Sequence, residues 1–176
     1  MMVIPEIFDA YDEFGNKLGI DLVRGDKVPK GLYHFVVEIY TLNQNFECLI
    51  TLRDEKKYYP HFWEIKAGAV LKDETPIQAA KRELFEETGI DVSIDQLQEL
   101  FVEKHQSCFI YGYIHMIDSL KQPIRLQIDE TIDYRFIPMN EMLEYTKRQD
   151  FVPTCALRFN RYYSKINHIF STMIKR

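Results

Sequence analysis

The sequence predicts an α/β fold in a single domain spanning residues 1–176. Three observations carry this expectation. β-rich runs stand on both sides of one sharply delimited helix, a longer amphipathic helix closes the chain, and no linker, repeat or low-complexity run divides it. With 46% hydrophobic residues, a chain of 176 residues can bury a sizeable core.

Residues 6–11 read as a first strand, followed by a turn at Glu13-Phe14-Gly15-Asn16. The runs 33–42 and 46–53 are rich in β-branched and aromatic residues and flank Asn43-Gln44-Asn45, the pattern of a hairpin. Phe62 to Lys66 reads as a short strand. The central helix is fixed by its ends. Thr75 is a good N-cap, Pro76 suits the first helical position, Gln78 completes a capping box, and Gly89 fits a left-handed stop. Between them Ile77, Ala80, Leu84 and Thr88 form one seam that can pack on a core. Further strands are expected near 97–105, 108–117 and 132–137, then a short helix with Asn140 as N-cap. From Pro153 onward, Leu157, Tyr162, Ile166, Ile169, Phe170 and Met173 recur at helical spacing, which predicts an amphipathic helix over about 153–174.

Composition narrows the function. A net charge of −5 argues against general nucleic-acid affinity. The opening MMVIPEIFDAYDE lacks the basic-then-apolar pattern of a leader, and no segment is long enough to span a membrane. Cys48, Cys108 and Cys155 match neither a disulfide framework nor a zinc site, so a reducing cytoplasm is the expected setting.

The stretch Gly68 to Ile90, GAVLKDETPIQAAKRELFEETGI, carries the chemistry. Glu83, Glu86 and Glu87 share an i, i+3, i+4 relation and lie within roughly a third of a turn of one another. Glu74 sits in the glycine-led loop before them. A Glu-rich helix face is ordinarily solvated surface, and Arg82 could pair with Glu86 along it. Four carboxylates this close oppose folding unless something positive neutralises them. Hard oxygen ligands on a rigid element suit Mg²⁺ or Mn²⁺ bridging to substrate phosphates. On this view Glu86→Gln or Glu87→Gln should weaken the metal and relieve like-charge repulsion in the metal-free protein.

The spacing is more specific than the helix face. Gly68, Glu74, Arg82, Glu83, Leu84, Glu86, Glu87, Gly89 and Ile90 fit every fixed position of Gly-x5-Glu-x7-Arg-Glu-apolar-x-Glu-Glu-x-Gly-apolar. This segment resembles the signature of the Nudix hydrolases. The resemblance implies an α/β/α sandwich with a mixed central sheet and a loop-helix-loop motif over residues 68–90. It implies hydrolysis of a nucleoside diphosphate linked to a further moiety, with divalent cations. It also implies Glu86 and Glu87 as metal ligands and Glu83 as a ligand or the base that activates water. Arg82 would orient the carboxylates, Glu74 would buttress the loop, and the Ala67 carbonyl could complete the metal shell. Two positions depart from many relatives, which have glycine where this chain has Ala67 and Asp73. Neither change removes a ligand, and Asp tolerates unusual backbone angles.

Beyond the motif, PEIFDAYDEFGNKLG, KGLYHFVVEIYTLN, PHFWEIKAGAV and LQIDE resemble the Nudix branch related to isopentenyl-diphosphate isomerase, over roughly residues 5–150. That likeness makes Glu130 an additional glutamate approaching the metals. Isomerisation itself is disfavoured. Type I isomerases have a cysteine where this chain has Ala67 and a ligating histidine where it has Ala69. His34 matches a further isomerase histidine, but a hydrogen-bonded histidine at a strand start is the plainer reading. A non-catalytic ligand sensor would typically have lost glutamates that are present here.

Residues 151–176 carry Arg158, Arg161, Lys165, Lys175 and Arg176 with Tyr162 and Tyr163 and no acid. Basic residues among aromatics can bind RNA. The favoured reading is instead a helix with its aromatics packed inward and its charges solvated, or one that supports a homodimer. RNA is therefore not the expected partner. The expected ligand is a small nucleotide or other diphosphate, with no organic cofactor. Its recognition falls to residues outside the motif, with Phe62, Trp63, Tyr111 and Tyr134 as candidates for the cleft.

Overall fold

The computed structural model describes residues 5–173. Lys175, Arg176 and the expected helix end at residue 174 lie outside the described residues. In chain order the elements are β1 (Ile7–Tyr11), β2 (Lys17–Val23), β3 (His34–Asn43), β4 (Glu47–Arg53), β5 (Trp63–Glu64), β6 (Lys66–Ala69), α1 (Pro76–Thr88), β7 (Gln98–His105), β8 (Cys108–Ile117), β9 (Thr131–Pro138), α2 (Met139–Tyr145) and α3 (Pro153–Met173). A 3-10 turn spans Ile94–Gln96.

The sheet is mixed. Its path runs β5-β4-β3-β8-β7, with β6 added to β3 and β9 to β4. β3 and β8 pair in parallel from His34↔Cys108 to Asn43↔Ile117, while the other pairs are antiparallel. The two-residue period of β3 builds the layers. Val37 and Ile39 join Ala80, Leu84 and Ile90 on the α1 side. Tyr40 and Leu42 join Phe159, Ile166 and Phe170 on the side of α3, where Met139 and Met142 of α2 also pack. The result is the expected α/β/α sandwich. No helix among the described residues is long and apolar enough to cross a membrane.

Glu38 shares the inner face of β3 with Tyr40 and Leu42, and it is fully buried. Arg158 of α3 answers it, with Nε 2.8 Å and Nη2 2.5 Å from Glu38 Oε2. The basic residues of α3 are therefore not simply solvated. Arg158 is buried, Arg161 pairs with Glu103 at 2.6 Å, and Lys165 donates to the Leu100 carbonyl at 2.5 Å. The aromatics do pack inward, with Tyr162 stacked on Phe101 at 4.1 Å between centroids.

Several local expectations change. β2 has no counterpart among the expected elements. Only Leu22 of its seven residues is buried and Gly19 interrupts it at φ 68°, so it carries little periodicity. The strand expected from Phe62 to Lys66 becomes two, one on β4 and one on β3, which puts Gly68 inside β6. The last short helix starts at Met139 with Pro138 before it, so Asn140 is not its N-cap. There the chain passes from β9 into α2 with the Met139 amide bonded to the Phe46 carbonyl at 3.0 Å. His34 does begin a strand, but it stacks on Phe8 and its buried Nδ1 lacks a well-formed hydrogen bond.

His115 is fully buried and shares a 2.7 Å hydrogen bond with Thr41. Burial lowers its pKa from 6.5 to about 4. The unfolded chain then binds a proton over a range where the fold does not. This contribution to stability is complete above pH 6.5 and is lost as pH falls towards 4, by about 3 kcal/mol. Denaturant titrations should show wild type losing stability over that interval more steeply than His115→Gln. Equal slopes would contradict the assignment.

Candidate active site

The expected helix ends form. The Thr75 amide donates to Gln78 Oε1 at 2.9 Å, and Gly89 closes the helix at φ 72° with its amide on the Phe85 carbonyl at 2.8 Å. Glu74 accepts the Leu71 amide at 3.0 Å, which ties the loop across its own turn. Asp73 takes a left-handed backbone at φ 63°, as its side chain permits. Its amide donates to Asp9 Oδ2 of β1 at 2.8 Å, and Lys17 of β2 bridges Asp9 and Asp73. The β1–β2 hairpin thus holds the loop against the site.

Gly68 has a packing reason to be glycine. A Cβ there would lie 2.0 Å from Glu83 Cδ, because the Glu83 side chain crosses directly over it. Arg82 is the hub of the outer carboxylates. It reaches Glu74 through two nitrogens at 2.9 Å, Glu83 at 3.0 Å, Glu86 at 3.1 Å and the Ala69 carbonyl at 2.9 Å. Burial opposes its charge, but Glu74 and Glu83 outweigh that effect and raise its pKa. Glu83 is mostly buried, and burial raises its pKa against the pull of Lys66 and Arg82.

Glu87 is engaged differently. Although it belongs to the acidic face in sequence, it is only 5% exposed. Its Oε2 lies 2.6 Å from Lys66 Nζ and accepts from Thr131 Oγ1 at 3.1 Å, and its Oε1 accepts from Lys57 at 3.1 Å. Burial alone would raise its pKa, but Lys66 and Lys57 override it and hold the carboxyl below the ordinary range. Lys57 also pairs with Glu130, which brings that predicted glutamate to the same cleft. Ala67 and Gly68 line the cleft floor, and Arg24 and Glu6 reach its rim from the hairpin.

The expected repulsion is therefore absent at Glu87. Two lysines and an arginine neutralise the acids, and Glu87→Gln would remove attraction rather than repulsion. Among the described residues, no three acids, histidines or cysteines converge closely enough to hold a metal without moving. The donor set still fits a hard cation by chemistry, being carboxylates and a carbonyl around one polar cleft, with Glu86 48% exposed.

Lys57, Lys66, Thr131 and Arg24 are the participants that sequence reasoning missed. Lys66 carried a signal, an isolated lysine in the apolar run before the motif. Lys57 and Arg24 reach the site through long-range topology alone. Of the aromatics expected in the cleft, Trp63 is buried under the Arg135 guanidinium at 4.5 Å, and Phe62 and Tyr111 pack against the core clusters. Tyr134 stands on β9, paired opposite Thr51. Tyr58 and Tyr59, in T-shaped contact at 4.6 Å, instead border the space beside Ala67.

Gly68→Ala tests the close approach. The added Cβ would also lie 2.4 Å from Glu83 Cγ, so the whole side chain must rotate away and break its contact with Arg82. The thermal midpoint should fall modestly, while misplacing the carboxylate should cost on the order of 10²-fold in turnover. Unchanged turnover would show that Glu83 need not cross Gly68.

Comparison with known proteins identifies the family. The pattern that defines the NUDIX domain matches residues 32–155. An uncharacterised Nudix hydrolase of Listeria monocytogenes is 29% identical over 150 residues, covering 84% of this chain and 89% of its own. Dihydroneopterin triphosphate diphosphatase of Escherichia coli is 39% identical over 89 residues, 51% of this chain and 57% of that protein. The crystal structure of DR0079 from Deinococcus radiodurans superimposes with a TM-score of 0.75 at 21% identity, covering 90% of this chain and 99% of that one. The chain belongs to the Nudix hydrolases, a family whose members act on phosphorus-containing acid anhydrides.

Proposed function

We propose that this single domain hydrolyses a diphosphate linkage in a small nucleotide or related compound, with Mg²⁺ or Mn²⁺ as its ion. The observation that carries the reading is the carboxylate set Glu83, Glu86 and Glu87, held on one rigid helix against the cleft at Ala67 and Gly68. Those glutamates, with Glu130 and the Ala67 carbonyl, would hold the cation. When bound, the ion supplies charge neutralisation at the phosphoryl oxygens.

The chain's own groups divide the remaining work. Glu83, crossing over Gly68 at the cleft, serves either as a ligand of the ion or as the base that takes a proton from water. Arg82 keeps Glu83 and Glu86 oriented while Glu74 anchors Arg82 to the loop. Arg24, Arg53, Lys56 and Lys57 edge the open space beyond the carboxylates, which suits a substrate rich in phosphate. The triphosphate named for the Escherichia coli relative supports that class.

Isopentenyl-diphosphate isomerisation gains no support. Ala67 cannot transfer a proton, and burial pushes the thiol of Cys155, on the neighbouring cleft wall, far above its ordinary pKa.

A phosphate-release screen with Mg²⁺ tests the proposal across nucleoside di- and triphosphates, nucleotide sugars, dinucleoside polyphosphates, NADH, coenzyme A and isopentenyl diphosphate. A selective hit should appear in wild type and fall on the order of 10²-fold or more in a folded Glu86→Gln variant. Equal rates in wild type and variant would remove Glu86 from the chemistry.

A further inference from the structure

We propose that the pocket between the β4–β5 connection and the start of α3 receives the non-phosphate end of the substrate. The group it takes is a planar, nitrogen-bearing ring such as a nucleobase, and Tyr58 is the face on which that ring stacks. This assignment rests on the diphosphate-hydrolase reading above and supplies the group beyond the phosphates.

The pocket has a volume of about 400 Å³ and meets the carboxylate cleft at Ala67. The open space edged by Arg24, Lys56 and Lys57 adjoins it at Arg53, Tyr58 and Ala67. Carboxylates, cationic edge and pocket thus come together at one residue. A phosphate chain lying over Ala67 can reach the acids with one end and the pocket with the other.

The character of the walls changes along this track. Outside, the lysines offer sites for phosphate. Inside the pocket each arginine has its own acid, for Arg53 pairs with the buried Glu64 and Arg158 with the buried Glu38. Thr154 and Gln106 add uncharged hydrogen-bonding groups. A hydrocarbon tail would strip water from these groups and give them no partner in return. A ring with donors and acceptors along its edge answers the walls and still presents two flat faces for stacking.

Tyr58 supplies the matching face. Its ring is 80% exposed and borders both the cationic space and the pocket. The backbone beneath it is tied down, because Arg53 Nε donates to the Tyr58 carbonyl at 2.6 Å. Tyr59 meets the Tyr58 ring in T-shaped contact and itself packs on Phe62, with centroids 5.3 Å apart. Tyr59 and His61 hold left-handed backbone, at φ 58° and 60°, which is costly for side chains of this bulk. The connection is therefore set in a shape that leaves one aromatic face uncovered where phosphate space and pocket join.

Ligand-observed NMR tests this without turnover. With a chelator present, dissociation constants are measured for AMP, GMP, CMP, UMP, ribose 5-phosphate and isopentenyl monophosphate. At least one nucleotide should bind wild type about tenfold more tightly than ribose 5-phosphate, a preference lost in Tyr58→Ala and kept in Tyr58→Phe. Its ring protons should show Overhauser contacts to the methyl groups of Val152 and Thr154 at the start of α3. Because the Tyr58 ring is exposed, replacing it leaves the core intact. Absent nucleotide binding, equal binding of nucleotides and ribose 5-phosphate, tighter binding of the isopentenyl compound, or a preference that survives in Tyr58→Ala overturns the inference. The hydrolase reading stands or falls separately, on the phosphate-release screen.

Discussion

The contact between Lys66 and Glu87 joins the sheet to the helix that bears the acids. Through it a buried carboxylate finds a buried ammonium, so α1 can turn an acidic corner into the protein interior. Without Lys66, the buried Glu87 carboxylate would keep only Lys57 and Thr131 as partners, a costly state for a charge so little exposed. With it paired, Leu84 and Ala80 can bury against Val37 and Ile39, and Glu83 comes to lie over Gly68. Arg82 performs the matching task on the outer side, gathering Glu74, Glu83 and Glu86.

The same logic recurs across the sheet. Because side chains alternate along β3, Glu38 faces the opposite layer, where Arg158 of α3 meets it. One charged pair thus anchors each helical layer to the sheet. Burial raises the Glu38 pKa and Arg158 opposes that rise. Such pairs add little net stability compared with well-packed apolar residues, but breaking one leaves an uncompensated charge. They specify which helix sits where. The β1–β2 hairpin adds a third fastening, through Asp9 and Lys17 to the loop ahead of α1.

Much of this was legible in the sequence where the cause is local. The caps of α1, the turn at Glu13 to Asn16 and the amphipathic run of α3 depend on residues a few positions apart, and they form as expected except that Leu157 faces solvent. The motif spacing placed Glu83, Glu86 and Glu87 together because a helix converts spacing directly into geometry. The neutralising partners were harder to read. Lys57 stands 30 residues from Glu87 and meets it only once β4 has turned back towards β5. Lys66 was visible as an isolated lysine, but its direction depends on the register of β6 against β3. Counting acids without these partners led to an expectation of repulsion that Lys66, Lys57 and Arg82 offset in the folded chain. Arg158 escaped for the same reason, its partner Glu38 lying 120 residues away.

The basic partners of the acidic helix come from the protein itself. Thermal unfolding of wild type and Glu87→Gln in the presence of a chelator tests it most directly. Loss of the Glu87 charge strands Lys66, so the variant should be less stable by about 3 kcal/mol and melt roughly 5–10 °C lower. A variant that melts at or above the wild-type temperature would show that the metal-free cluster is governed by repulsion among its acids, and the account would fail.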